Sequence, residues 1–275
     1  MSIRPILIGV AGFILGCGII YAIQDLMIFH SVHDQGSREF LQGRQAFREV
    51  AFTAENGITY HGMMFQASAE KAPLLIYFGG NGEVSYTTMR IRETFNQWPF
   101  FAGFHYLFVD YVGYGLNTGR THYLNMYEQS LAVFDYAASL PNVDPNRIVA
   151  MGFSLGTGSA VYLAANRPVA GLILVAPYAN GFDLYNNVLP IFFGPMRLLV
   201  RQRLPSDKHA PNVTSPVLLI ASRRDEIVPF ASSTRLSNLF PGNVDFMALD
   251  NVGHNSIFQV DGVYYRILSF LSGLR

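Results

Sequence analysis

The chain has 275 residues, of which 50% are hydrophobic and only 14% charged, and its 19 basic and 19 acidic residues give a formal net charge of zero. That balance excludes a disordered or collagen-like chain and leaves ample apolar surface for a sizeable core, in one large domain or two small ones. No basic cluster marks a nucleic-acid-binding surface, and the single cysteine excludes an internal disulfide framework or a multi-cysteine metal site.

The run Pro5–Gln24 contains no charged residue and is bounded by Arg4 and Asp25. About 20 helical residues span a bilayer core, so residues 1–24 read as a single-pass transmembrane anchor. Two other readings stand beside it: Ile14-Leu15-Gly16-Cys17 resembles a lipobox with Cys17 as the lipidated residue, and the stretch could be a buried core helix. The positive charge at Arg4 and the α-amine favours the N-terminus inside and the main domain on the non-cytoplasmic side. Residues 25–45 read as a linker, with His30 and His33 beside the anchor.

From residue 46 onward the chain reads as one domain, 46–275. Ala46–Thr53 and Gly57–Gln66 form a predicted hairpin around Glu55-Asn56-Gly57. Leu74–Phe78, Tyr106–Tyr111, Arg147–Gly152, Gly171–Ala176, Val217–Ala221 and Val244–Leu249 are nearly continuous apolar runs, as strands buried on both faces require. Met126–Leu140 and Ser154–Asn166 carry apolar residues at helical spacing. Strand–helix alternation of this kind predicts a mostly parallel sheet covered by helices. The alternation breaks at about 177–216, a stretch too long for a simple connection, which predicts an insert with elements of its own.

The chemistry centres on Gly152-Phe153-Ser154-Leu155-Gly156, a G-x-S-x-G pattern between a predicted strand and a predicted helix. The glycines at 152 and 156 allow a sharp turn that lifts the Ser154 hydroxyl, and the helix start offers the Leu155 N–H to a developing oxyanion. A serine needs a base. His254 follows the last predicted strand and comes after the serine in the chain, whereas His61 lies in a hairpin strand, His105 lies just before a strand, and His122 and His209 lie in loops and read as surface or structural groups. Asp225, with Glu226 as the adjacent fallback, lies beyond the carboxyl end of Val217–Ala221 and suits the carboxylate that orients such a base. A salt bridge to Arg223 or Arg224 is the structural alternative for Asp225. The loop Gly79-Gly80-Asn81-Gly82-Glu83 suggests a second oxyanion donor, the N–H of Asn81 or, alternatively, of Gly80.

These residues together resemble the α/β-hydrolase superfamily over roughly Ala46 to Leu274, and Asp110-Tyr111-Val112-Gly113-Tyr114-Gly115 looks like the D-x-x-G-x-G loop that follows its fourth strand. The likeness extends to serine hydrolases with one N-terminal anchor and a small cap. It implies an eight-stranded sheet opening on an antiparallel hairpin, and a triad of Ser154, Asp225 and His254 that acts through an acyl-enzyme with no metal or organic cofactor. The expected substrate is a carboxylic ester, small-molecule or lipid. A peptidase or thioesterase with the same triad, or a tethered interaction protein without catalysis, are the alternatives. One departure stands out: many relatives begin the oxyanion loop with His-Gly, where this chain has Gly79.

Overall fold

The computed structural model describes residues 4–32, 35–67, 71–94 and 103–274, so His33 lies outside the described residues. Eight strands form one sheet in the order β1-β2-β4-β3-β5-β6-β7-β8. They are β1 Phe47–Thr53, β2 Thr59–Phe65, β3 Ala72–Phe78, β4 His105–Val109, β5 Val143–Phe153, β6 Gly171–Val175, β7 Val217–Ser222 and β8 Val244–Leu249. β2 runs antiparallel to both β1 and β4, and every other pairing is parallel. The expected hairpin is present: Thr53 pairs with Thr59, and Gly57 takes the left-handed conformation (φ 78°) that its turn needs. β3, β4, β6 and β7 are buried along their whole length, which is why they read as unbroken apolar runs.

β5 begins earlier than its apolar pattern suggests. Its first residues, Val143 to Arg147, include Pro145, and the β3–β5 register shifts between Ala72 and Leu74. A proline donates no ladder hydrogen bond and is accommodated at such irregularities.

The helices are α1 Arg4–Ile28, α2 Gln35–Gln42, α3 Ser85–Thr94, α4 Tyr123–Ser139, α5 Gly156–Asn166, α6 Gly181–Val188, the short α7 Ser206–His209, α8 Phe230–Ser237 and α9 Asp261–Gly273. α2 falls within the 25–45 segment; it buries Leu41 and joins β1 through Arg38–Glu49. α4 starts before its apolar pattern because His122 caps it, with Nδ1 accepting the Leu124 N–H while Asn125 Oδ1 accepts the His122 N–H. Burial lowers the His122 pKa and so favours the neutral ring that this acceptor role needs. The 177–216 stretch carries α6, a 3₁₀ turn at Gly194–Leu199, and α7.

α1 contains a window, Leu7–Asp25, of mean hydropathy 2.0, long and apolar enough to cross a membrane. Leu7, Ile8, Phe13 and Leu15 on it are exposed, so the helix is not buried in the domain. The end of the helix engages the body of the protein. Gln24 Nε2 donates to Leu199 O (2.5 Å) and Gln24 Oε1 accepts the Arg201 N–H (2.9 Å). The buried Asp25 carboxylate meets Arg120 (2.6 Å), Arg201 (3.3 Å) and Gln202 Nε2 (2.7 Å).

Asp110 ties the sheet to α3. Its carboxylate accepts the Ser85 N–H (2.6 Å) and Ser85 O–H (3.1 Å), and a Cβ on Gly115 would lie 2.1 Å from its Oδ2. The Asp110–Gly115 loop is therefore built around a buried acid. Burial, opposed by the Ser85 hydrogen bonds, raises the Asp110 pKa from 3.8 to about 7. A carboxyl raised in the folded state contributes stability that is complete below its unfolded value and is lost as pH rises towards 7. Denaturant unfolding from about pH 5 to about pH 8 should thus show wild type losing stability relative to Asp110→Asn; parallel curves would remove Asp110 as the cause.

Candidate active site

The carboxyl ends of β3, β4, β5, β7 and β8 lie along one edge of the sheet, where open parallel sheets assemble their sites. At the end of β5 the chain turns sharply into α5. Ser154 has φ 49°, a strained conformation for a residue with a side chain. Its N–H donates to Val175 O (2.9 Å), and its carbonyl accepts from Thr157 N–H (3.0 Å) and Thr157 Oγ1 (2.6 Å). The flanking glycines are required by space. A Cβ on Gly152 would lie 2.6 Å from Gly156 O, and one on Gly156 would lie 2.0 Å from Phe78 O.

Asp225 sits in the loop after β7. Its Oδ1 accepts the N–H groups of Ile227 (2.9 Å) and Val228 (2.7 Å), which leaves Oδ2 for the imidazole of His254. His254 Nδ1 lies 2.7 Å from that Oδ2, and His254 Nε2 lies 2.9 Å from Ser154 Oγ. A carboxylate accepts only, so Nδ1 carries the proton and Nε2 is left to accept from the serine. Ser154 and His254 are buried, and the Asp225 side chain is 2% exposed, so these contacts are little screened. The Phe153 ring stacks on the imidazole at 5.1 Å.

The structure gives the neighbours of Asp225 other partners. Arg223 pairs with Asp250 (3.2 Å) and lies over the Phe230 ring. Glu226 accepts the His254 backbone N–H (3.1 Å) instead of meeting the ring. The other described histidines serve elsewhere. His105 is buried, with Nδ1 accepting the Ala67 N–H and Nε2 facing Asn142 O; His209 lies edge-on to the Tyr127 and Tyr162 rings.

The Gly79–Glu83 loop packs against the elbow on both sides of Ser154: a Cβ on Gly80 would lie 2.8 Å from the Phe153 ring and one on Gly156 would lie 2.6 Å from Gly79 O. Gly80 N–H donates to Glu83 Oε2 (2.7 Å), as does the Tyr77 hydroxyl (2.8 Å), and Arg92 approaches Glu83 Oε1 at 3.5 Å. The Gly80 N–H is thus engaged, whereas neither the Asn81 N–H nor the Leu155 N–H has an acceptor among the described residues. The glycine at 79 also has a reason: a Cβ there would lie 2.5 Å from the Phe108 ring, so Phe108 fills the space a larger residue would need. Glu83 is a supporting residue that sequence reasoning did not assign; an acid closing a glycine-rich loop was the available signal. A cavity of about 330 Å³ opens beside the loop, lined in part by Asn81, Ile91, Arg92, Phe153, Asn255 and Phe258.

A Dienelactone hydrolase family model matches residues 120–254, the stretch that carries Ser154, Asp225 and His254. An uncharacterized protein of Mycobacterium tuberculosis is 30% identical over 218 residues, which cover 79% of this chain and 75% of its own. The chain belongs to the α/β-hydrolase superfamily. The alpha/beta hydrolase domain-containing protein aho-3 of Caenorhabditis elegans is 28% identical over 162 residues, 59% of this chain and 47% of that relative. Among solved structures, an acetyl xylan esterase from Paenibacillus sp. R4 shares the fold with a TM-score of 0.67 at 14% identity, covering 92% of this chain and 99% of its own. Within this hydrolase fold the elbow glycines make a direct test of geometry. Gly156→Ala drives a methyl into the Phe78 carbonyl, and unfolding free energy should fall by about 1–3 kcal/mol or more; unchanged stability in a denaturant titration would contradict the close approach.

Proposed function

We propose that this α/β-hydrolase is a serine hydrolase that cleaves a carboxylic ester through an acyl-enzyme. The observation that carries the reading is the unbroken hydrogen-bonded series from Asp225 through His254 to Ser154, at 2.7 and 2.9 Å. In the first step Ser154 Oγ attacks the acyl carbonyl while its proton passes to His254 Nε2. Asp225 holds the ring by Nδ1–H and stabilises the imidazolium. The carbonyl oxygen becomes an oxyanion, which the N–H groups of Leu155 and Asn81 receive. The tetrahedral centre collapses, the C–O bond breaks, and the leaving alcohol takes the proton from His254. Water then attacks the acyl-enzyme by the same route and releases the acid.

The cavity beside Asn81 and Phe153 falls within the size of small-molecule sites, and its mixed lining suits an acyl or alkyl group with a polar end. We assign residues 177–216 to a small cap and α1 to a single-pass anchor, with the domain on the non-cytoplasmic side, an arrangement that would expose the site to lipid esters. No metal or organic cofactor enters these steps.

Two measurements test the proposal. With p-nitrophenyl esters of rising chain length, Ser154→Ala should lose roughly 10⁴–10⁶ of the wild-type kcat and should no longer be labelled by a fluorophosphonate. Equal turnover by wild type and Ser154→Ala would overturn the serine assignment, while thioester or peptide turnover without ester turnover would change the substrate class. For the anchor, the full-length chain should stay in the membrane fraction after an alkaline carbonate wash. A soluble product shortened at its N-terminus would instead make α1 a removed signal, and a product acylated at Cys17 a lipoprotein.

A further inference from the structure

The segment that leaves α1 reaches the loop beside Ser154. Asn81 Oδ1 accepts the His30 N–H (2.9 Å) and the Tyr114 hydroxyl (2.7 Å). Asn81 Nδ2 donates to Ile28 O (2.6 Å) and meets His30 Nδ1 at 2.9 Å. A primary amide has two acceptor sites and two donor hydrogens, so the side chain is fully engaged, and three of its four contacts come from Ile28 and His30. These partners are 51 and 53 residues away in the chain. Asn81 is exposed, and its neighbours Gly80 and Gly82 have no side chains with which to fasten the loop. Gly82 also takes φ 84°. The loop is therefore held by Glu83 on the Gly80 N–H, by the Tyr111 hydroxyl on Gly79 O, and by the Ile28–His30 segment and the Tyr114 hydroxyl on the Asn81 side chain.

We propose that Ile28–His30 is a working part of the active site: by gripping the Asn81 side chain it holds the Asn81 N–H in position for the oxyanion. The inference rests on the serine hydrolase reading and adds a positioning role for the chain that leaves the anchor. His30 touches no reacting atom; it acts through Asn81. Its own place is set by the end of α1, because the Phe29 N–H donates to Asp25 O (2.9 Å) and Asp25 is bracketed by Arg120, Arg201 and Gln202. The anchor thus reaches the oxyanion loop through a short chain of direct hydrogen bonds. A donor that stabilises only the transition state affects kcat far more than KM, and loss of such a donor costs about 10²–10³ in kcat. Loosening the donor without removing it should cost less.

The test uses the detergent-solubilised full-length chain, with p-nitrophenyl esters and a fluorophosphonate as probes. Asn81→Ala keeps the N–H and removes the grip. It should lower kcat and the rate of Ser154 labelling by about 10- to 100-fold, with KM nearly unchanged and labelling still reaching the wild-type final stoichiometry. His30→Gly removes the imidazole and loosens the backbone that supplies the N–H; it should lower kcat by about 3- to 10-fold on the same pattern. Added to Asn81→Ala, it should cost nothing further, because both changes break one connection. Tyr114→Phe provides a second, milder variant with the same signature. Wild-type kcat in both Asn81→Ala and His30→Gly, or losses that multiply in the double variant, would overturn the proposal while leaving the Ser154 assignment intact. Turnover that survives Ser154→Ala would overturn the serine reading and this inference with it.

Discussion

The close approach of α5 to the end of β3 is the constraint on which the rest of the site depends. The backbone at Gly156 passes so near Phe78 O and Gly79 O that no side chain fits between them. That contact sets Ser154 at the turn with a positive φ and brings the start of α5 beside the Gly79–Glu83 loop. Strain at one residue, roughly 1–3 kcal/mol, is offset by the hydrogen bonds on both sides of it, from Ser154 N–H to Val175 O and from Thr157 to Ser154 O. The parallel strands then bring the loops of Asp225 and His254 to the same edge.

A second layer keeps these loops in place without touching the serine. Glu83 gathers Gly80 and Tyr77, Asp110 holds the start of α3, and the Tyr111 hydroxyl donates to Gly79 O at 2.8 Å. Asp110 O also accepts from the side-chain amides of Asn117 and Gln129. A buried acid is costly unless hydrogen-bonded; buried Asp110 accepts from Ser85, and half-buried Glu83 is met by Gly80, Tyr77 and Arg92. The loop that lacks the histidine of many relatives gains its support from Glu83 below and from Asn81 above.

Much of this was legible in the sequence because the signals were local. Buried parallel strands leave continuous apolar runs, so β3, β4, β6 and β7 could be read directly; Asp225 follows one of them, Ser154 follows the buried end of β5, and His254 follows β8, which is half-buried along most of its length. The turn glycines are a steric signature within five residues. What the sequence concealed depends on distant partners. Nothing near Asn81 indicates that its side chain meets Ile28 and His30, and nothing near Asp25 indicates Arg120, Arg201 and Gln202. β5 extends through Pro145 because a register shift allows it, and α2 forms in a polar stretch because Leu41 finds the core. These are tertiary decisions that override local pattern.

The clamp around Asp25 has a mechanical consequence. A domain hung from a bilayer by a pliable tether tumbles, and its orientation is an average over many poses. Here the last turn of α1 is fastened to Leu199, Arg201, Arg120 and Gln202, and the helix continues into those contacts without a pliable joint. With α1 upright in a membrane, the domain would behave as a rigid extension of it, like a flag fixed to a pole. Helix tilt would set the angle of the site's opening to the lipid surface, so bilayer thickness, to which a spanning helix adjusts in part by tilting, would become a variable of substrate access.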